Sequence, residues 1–369
     1  MSTSTRRTPY HAHHVANNGK MVPFAGWEMP VQFPGGILHE HRVVRQGAGV
    51  FDVSHMGRFF IRGENAIGFT NYLITNNLER LSKGALLYSA LCNEKGGIID
   101  DVTVYHLGDA ALLVANAANA DAVEAWMRRH APEGITIENA TDAYAQIALQ
   151  GPKAEEALAE PFASAVREVG YYEYTFVEWQ GERVLISRNG YTGEDGFEIY
   201  VPVQVAVALW EALFEWGAGV GIEPIGLGAR DSLRMEVNYA LYGNELSTET
   251  TPLEAGLRWV VKLKKGGDFI GRDALLAQKE TGLERTLVGF EVEGKRLPRH
   301  GYPIVQDGRQ VGFVTSGGFC PSLEKGMGMG YVPLEMKAEG TELSIDARGR
   351  TIVARVVERP FYKDGSVKK

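Results

Sequence analysis

Two consecutive aspartates, Asp100 and Asp101, sit in the run Ile98-Ile99-Asp100-Asp101-Val102-Thr103-Val104-Tyr105, directly after the Gly96-Gly97 turn. On a strand, neighbouring side chains point to opposite faces. Asp100 therefore shares a face with Ile98, Val102 and Val104, while Asp101 joins Thr103 and Tyr105. An unpaired carboxylate aimed at an apolar surface is expensive, and carboxylates in such surroundings cluster at functional sites. Asp100 is thus the candidate for proton or cation chemistry, and less is expected of Asp101. The competing reading is structural, with Asp100 satisfying a backbone N–H or pairing with a buried Arg.

A second concentration of chemistry lies in Gly190-Tyr191-Thr192-Gly193-Glu194-Asp195-Gly196-Phe197-Glu198-Ile199, with three glycines and three acids in ten residues. Glycines allow close backbone approach to a ligand, and alternation separates Phe197 and Ile199 from Glu198 and Tyr200. On pattern alone a surface hairpin with solvated acids is the favoured reading. Gly226-Leu227-Gly228-Ala229-Arg230-Asp231 has the outline of a dinucleotide loop, but Asp holds the sixth position and no acidic strand end follows at the right distance. Arg230 and Arg234 share a helix face and could grip a carboxylate. Salt bridges to Asp231 or Glu236 are the equally open alternative. His11, His13 and His14 fall in a segment expected to be loose, and His39 and His41 flank Glu40 without a metalloprotease pattern. No spacing suits a metal, and no G-x-S-x-G elbow occurs.

The elements that must position these groups read as follows. Strands are expected at Arg58–Arg62, Leu86–Leu91, Ala111–Asn116, Val184–Ser187 and Phe197–Tyr200, with helices at Asn65–Leu73, 120–130, Gln204–Trp216 and from Leu227 through Glu236. The first fifty residues look irregular. Met21–Pro30 reads as an apolar loop packed over something. From Arg285 the chain turns to short strands punctuated by Gly and Pro, as in a small barrel or sandwich. Strands and helices mix in the α+β manner, without a βαβ rhythm.

At 369 residues the chain exceeds one core, so two or three domains are expected. A net charge of −8 argues against a nucleic-acid surface. Two cysteines, Cys92 and Cys320, offer no disulfide framework, which favours a reducing compartment. No apolar run is long enough to span a membrane, and the segment from Met1 to Arg7 has no signal-peptide core. A cytoplasmic location is the simplest reading.

Taken in order, the motifs resemble those of the glycine cleavage T-protein (aminomethyltransferase) family over almost the whole chain. The matching segments are Pro23-Phe24-Ala25-Gly26-Trp27-Glu28-Met29-Pro30, Phe51-Asp52-Val53-Ser54-His55-Met56, Gly96–Asp101, Leu149-Gln150-Gly151-Pro152, Gly190–Glu198, Gly226–Asp231, Leu241-Tyr242-Gly243, Asp268-Phe269-Ile270-Gly271 and Thr315-Ser316-Gly317. The resemblance implies transfer of an aminomethyl group from the dihydrolipoyl arm of a small H-protein to tetrahydrofolate, giving 5,10-methylenetetrahydrofolate, ammonia and the reduced arm. It implies an α+β three-domain cloverleaf around a central folate cavity: residues 1–52 with 139–275, an inserted unit at 53–138, and a C-terminal β-barrel at 280–369. It further implies a monomer with transient partners, no metal, no nucleic acid and no membrane. Asp100 matches the family's essential aspartate, Glu198 a carboxylate on the pterin, and Arg230 an arginine near the folate. Tyr88, Asn116, Tyr172, Tyr191 and Tyr239 match further folate contacts. The chain departs from the common pattern at Cys320, where Ser is usual, and lacks a Leu between Pro9 and Tyr10. A non-catalytic folate-binding relative would carry Lys-Gly-Cys-Tyr, whereas this chain has Tyr242-Gly243-Asn244-Glu245 with no cysteine before it. A folate-dependent demethylase or methyltransferase is the harder rival.

Overall fold

The computed structural model describes residues 5–367, so the first four residues of the opening segment, and with them part of its reading for a leader, lie outside the described residues. Three sheet systems organise the chain. A six-stranded sheet runs in the order Tyr174–Trp179, Glu182–Ser187, Gly196–Pro202, Tyr144–Gln150, Gly49–Asp52, Glu223–Ile225, antiparallel except for its last pair. A five-stranded antiparallel sheet runs Leu86–Cys92, Ile98–His106, Ala111–Ala115, Gly57–Arg62, Thr136–Asn139. The expected all-β tail is a closed barrel of six strands, from Arg285–Val292 to Thr351–Val357.

Alternation explains how each sheet is buried. Along Tyr144–Gln150, Ala145, Ile147 and Leu149 meet the helix Val203–Trp216 through Ala206, Leu209, Trp210 and Leu213. Ala148 faces the other way, onto the helices Ile37–Gln46 and Leu227–Glu236 through Val44, Ala229 and Leu233. Gln146 and Gln150 share the face of Ala148, and both are buried with hydrogen-bond partners: Gln146 Nε2 donates to Glu198 and Gln150 Nε2 to the Asn189 carbonyl. The five-stranded sheet buries one face under Ala66–Leu73 and Ala120–His130. Its other face meets the six-stranded sheet through Leu86, Tyr105, Leu112, Val114, Leu185 and Tyr200. The central cavity opens along this seam.

Several expectations for the N-terminal region are corrected. It is regular: Ile37–Gln46 is a helix, Gly49–Asp52 a central strand, and Lys20–Phe24 pairs with Trp27–Gln32 in a hairpin. Pro23 and Pro30 conceal that hairpin in the sequence, yet a two-stranded ribbon has only edges, where proline is tolerated. His14 is not loose. It is buried, with Nε2 2.8 Å from Asp52 Oδ2, and Thr8 Oγ1 donates to the same oxygen. The acids of the hairpin after Gly190 are not solvated either. Arg188 grips Asp195, and Glu194 Oε1 accepts from Arg45 Nη1 at 2.8 Å.

Arg45 also donates from Nη2 to Glu236 Oε2 (2.9 Å), which lies 3.2 Å from His41 Nε2. Glu236 Oε1 accepts from the backbone N–H of Ser322 in the barrel, and its carbonyl accepts from Tyr362 N–H. The C-terminal tail continues onto the same wall, where Phe361 N–H donates to Asn238 Oδ1 and Ser366 donates to Glu194 Oε2. One guanidinium thus joins two helices, a hairpin and the tail. Removing one member of such a buried set strands charges without compensation. Arg45→Met is expected to lower unfolding free energy by about 3–5 kcal/mol, read as a shifted urea midpoint at constant slope. A shift worth under about 1 kcal/mol would mean water replaces the guanidinium.

Candidate functional site

The adjacent aspartates do face opposite ways, but it is Asp101, not Asp100, that borders the cavity. Asp100 is fully buried beside Val102 and Val104, beneath the helices of the five-stranded sheet, and does not reach the cavity. Its cost of burial is met by donors. Asn116 N–H donates to Oδ2 at 2.9 Å, while Asn116 Nδ2 and Asn119 Nδ2 both donate to Oδ1 at 2.8 Å. Asp100 is the anchor of the turn that enters the helix Ala120–His130. Asp101 and Thr103 line the cavity instead. The alternation argument holds, but it could not reveal donors sixteen and nineteen residues away.

Asp101 is held by two donors. Tyr88 lies on the neighbouring strand, opposite Thr103, and its hydroxyl donates diagonally to Asp101 Oδ2 at 3.0 Å. Asn116 Nδ2 donates to Oδ1 at 2.8 Å, so one amide bridges both carboxylates. Burial pushes the pKa of each aspartate above the ordinary carboxylate value, and the charge of Asp101 pushes Asp100 up further. The bonds from Tyr88 and Asn116 oppose that rise at Asp101.

The cavity measures about 1160 Å³ and is lined by the two mixed sheets, the helix Leu227–Glu236 with the loop after it, and Arg359 and Pro360 beyond the barrel. Tyr88, Asn116, Tyr172, Tyr191, Glu198, Arg230 and Tyr239 all border it. Glu198 comes from the strand Gly196–Pro202, and its Oε2 accepts from Gln146 Nε2 (3.1 Å) and Tyr200 Oη (3.0 Å). Its Oε1 has no partner among the described residues. Tyr191 and Tyr239 lie with ring centroids 5.8 Å apart, and the Tyr191 hydroxyl donates to the Ala240 carbonyl.

The two helical arginines separate. Arg234 is structural: it bonds Asp231 Oδ1, Glu245 Oε2, the Tyr239 carbonyl and Ser316 Oγ. The guanidinium of Arg230, one turn earlier, makes no ion pair or hydrogen bond among the described residues and lies 4.6 Å from the Tyr191 ring centroid. Arg359, on the tail, is a second cavity cation without such a partner among the described residues. Burial pushes both guanidinium pKa values down. Unpaired cations in a cavity await an anion or an electron-rich ring.

From the sequence Asp101 ranks below Asp100, and Arg359, His55, Gln146 and Trp259 are not singled out. Trp259 stacks on Tyr88 at 5.7 Å and 24° and is half exposed. Only the apolar excess of Met21–Pro30 hinted at a wall, and Phe24 and Ala25 do border the cavity. Arg359 and Trp259 stand in no local pattern, because the tail and the segment before residue 260 reach the cavity only through tertiary folding. Among the described residues, no group of three or more His, Cys, Asp or Glu could hold a metal. The arrangement suits a flat heteroaromatic ligand with a donor edge and an anionic tail, and a cation developing beside Asp101.

The profile of the GCVT N-terminal domain matches residues 10–265, and that of the glycine cleavage T-protein C-terminal barrel domain matches residues 285–363. The chain is 45% identical over 364 residues to the aminomethyltransferase of Desulfitobacterium hafniense (strain Y51), covering 98% of this chain and 99% of that one. It is 46% identical over 361 residues to the aminomethyltransferase of Phocaeicola vulgatus, covering 97% and 100%. The crystal structure of the glycine cleavage system aminomethyltransferase T from Bartonella henselae superposes with a TM-score of 0.91 at 36% identity, over 99% of this chain and 100% of that one.

Tyr88→Phe deletes a donor that favours the ionised form of Asp101. The Asp101 carboxyl-carbon titration is expected to move up by about one pH unit. An unmoved or lowered midpoint would remove Tyr88 from the electrostatics of the site.

Proposed function

Because this chain belongs to the glycine cleavage T-protein family, we propose that its cavity takes tetrahydrofolate beside the arm of a lipoylated H-protein, with Asp101 at the reacting centre. The activity is that of an aminomethyltransferase of the glycine cleavage system. It moves the aminomethyl carbon from S-aminomethyldihydrolipoyl H-protein to tetrahydrofolate, yielding 5,10-methylenetetrahydrofolate, ammonia and dihydrolipoyl H-protein. The observation that carries the assignment of Asp101 is its position: a half-buried carboxylate, fixed by Tyr88 and Asn116, on the wall of a cavity of about 1160 Å³. That volume exceeds the usual single-ligand range of about 300–1,000 Å³, leaving room for a folate and the end of an arm.

In the reaction the carbon exchanges two bonds for two. Its bonds to nitrogen and sulfur break, and bonds to N5 and N10 form. The protons shed by N5 and N10 leave on ammonia and on the thiol. Positive charge passes through the carbon and N5 on the way. A fixed carboxylate opposite that charge needs no reorganisation. One charge pair at 4 Å is worth about 4 kcal/mol at an effective dielectric of 20, or about a thousandfold in rate. The raised pKa of Asp101 also suits it to accept a proton from a folate nitrogen.

The remaining residues divide the substrate between them. The free Oε1 of Glu198 reads the N–H edge of the pterin, with Gln146 and Tyr200 holding the carboxylate in place. Tyr88, Tyr172, Tyr191 and Tyr239 enclose the ring system, and Arg230 borders it between Tyr191 and Glu198. Arg359 suits the anionic glutamate tail. Asn116 fixes Asp101, and no role falls to a metal. The same reading divides the chain at 1–52 with 139–275, 53–138 and 280–369. It is supported by a five-stranded sheet drawn wholly from residues 57–139 and a barrel drawn wholly from 285–357. The protein works as a cytoplasmic monomer that meets H-protein transiently. None of its described helices is long and apolar enough to cross a membrane.

Asp101→Asn is expected to lower turnover about 10²- to 10³-fold while tetrahydrofolate affinity stays within about tenfold. The assay is ammonia release from aminomethyl-loaded, lipoylated H-protein. Asp100→Asn should lose less, since Asn keeps part of the turn's hydrogen bonding. Because the ionised form of Asp101 is required, wild-type turnover falls as pH drops through a midpoint above the ordinary carboxylate value near 4, and Asp101→Asn abolishes that limb. Near-normal turnover in Asp101→Asn would reject its role, and no ammonia from the wild type would reject the donor.

A further inference from the structure

His55 stands just after the strand Gly49–Asp52, on the cavity wall, and the mechanism above does not use it. Its ring meets the Phe24 ring edge-on, with centroids 5.6 Å apart at 86°. The residue is 4% exposed, and what remains open faces the cavity. Nδ1 is sealed from solvent with no hydrogen-bond partner, and Nε2 has no partner among the described residues. The nearby Asp52 offers no help, since it is occupied by His14, Thr8 and Ser54 N–H.

These contacts choose the tautomer. An orphaned buried N–H is rarer and costlier than an orphaned lone pair. The proton therefore sits on Nε2, and Nδ1 keeps its lone pair against the wall. Burial pushes the ring's pKa down to about 4; Arg230 and Arg58 add to the drop and the charge of Asp52 opposes it. The ring is a neutral single donor at neutral pH, on the wall of the cavity.

The strands beneath it say which part of a ligand it meets. Asp52 pairs with Ile147, Val53 N–H donates to the Gln146 carbonyl, and Glu198 pairs with Ala148 and accepts from Gln146 Nε2, so His55, Gln146 and Glu198 border the cavity from neighbouring strands. A carboxylate that pairs with the N3–H and 2-amino groups of a pterin leaves the 4-oxo group beside N3 as an acceptor needing a donor. Gln146 cannot serve, because its amide is committed to Glu198 and Tyr200. Resting on the reading of the cavity as a folate site, we propose that His55 is a specificity residue whose Nε2–H donates to the 4-oxo group of the pterin. It selects 4-oxo pterins over 4-amino pterins, which present a donor at that position and meet His55 donor against donor.

The test is equilibrium titration of the full-length protein with tetrahydrofolate and with its 4-amino counterpart. His55→Leu fills the same space without a donor, and His55→Gln returns an amide N–H near the position of Nε2. The expected result is tetrahydrofolate binding about tenfold weaker in His55→Leu. His55→Gln should stay within about threefold of wild type, and the preference for the 4-oxo compound should shrink about tenfold in His55→Leu alone. His55→Phe gives the same reading should the leucine variant not fold. Unchanged affinity and unchanged preference in the leucine variant would overturn the proposal and leave the folate reading standing. Equal losses in the leucine and glutamine variants would reduce His55 to packing and equally overturn it. Failure of wild-type protein to bind tetrahydrofolate would instead remove the reading beneath it.

Discussion

One side-chain amide holds the centre of this molecule together. Asn116 Nδ2 stands 2.8 Å from an oxygen of Asp100 and 2.8 Å from an oxygen of Asp101. Two adjacent carboxylates repel each other, and burial makes that repulsion stronger. The strand solves the problem by sending them to opposite faces, and Asn116 ties the faces together. The inner carboxylate fixes the turn that carries Asn116, and Asn116 in turn fixes the outer carboxylate. The outer group is thus held facing the cavity by two hydrogen bonds, the fixed geometry that its proposed role requires.

The same economy sorts the arginines. Arg45, Arg188 and Arg234 are consumed by carboxylates that tie helices, hairpin and barrel to one another. Arg230 and Arg359, on the cavity wall, have no such partners among the described residues. A chain with net charge −8 still has cations to offer, because local pairing decides which of them are free. The acids divide likewise: Glu194, Asp195 and Glu236 are bound, whereas Glu198 keeps one oxygen open.

Local features were the legible ones. The helices near 120–130 and after Leu227, the strands about Asp100 and Phe197, and the barrel-like tail all carry periodicity that a short window contains. What the sequence concealed depends on distance. Pro23 and Pro30 hid an edge hairpin. Buried His14 looked loose because Asp52, its partner, is 38 residues away. Glu194 looked solvated because nothing nearby announces Arg45, and Asp195 because no local period signals that Arg188, seven residues before it, folds back onto it. The reversal of Asp100 and Asp101 has the same cause, since a carboxylate among apolar neighbours reads as waiting for a ligand until Asn116 and Asn119 arrive from another turn. Arg359 and His55 belong to the cavity only by virtue of tertiary packing.

The tail that carries Arg359 has a temporal consequence. Its anchors, Glu194, Glu236 and Asn238, lie more than a hundred residues upstream, and a ribosome releases the chain from its N-terminus. Both mixed sheets can therefore assemble before residues 359–366 are translated, but the cavity wall stays incomplete until that segment emerges and docks. A nascent chain stalled ahead of Arg359 would have both sheets and the barrel strands in place yet lack a guanidinium on the cavity wall.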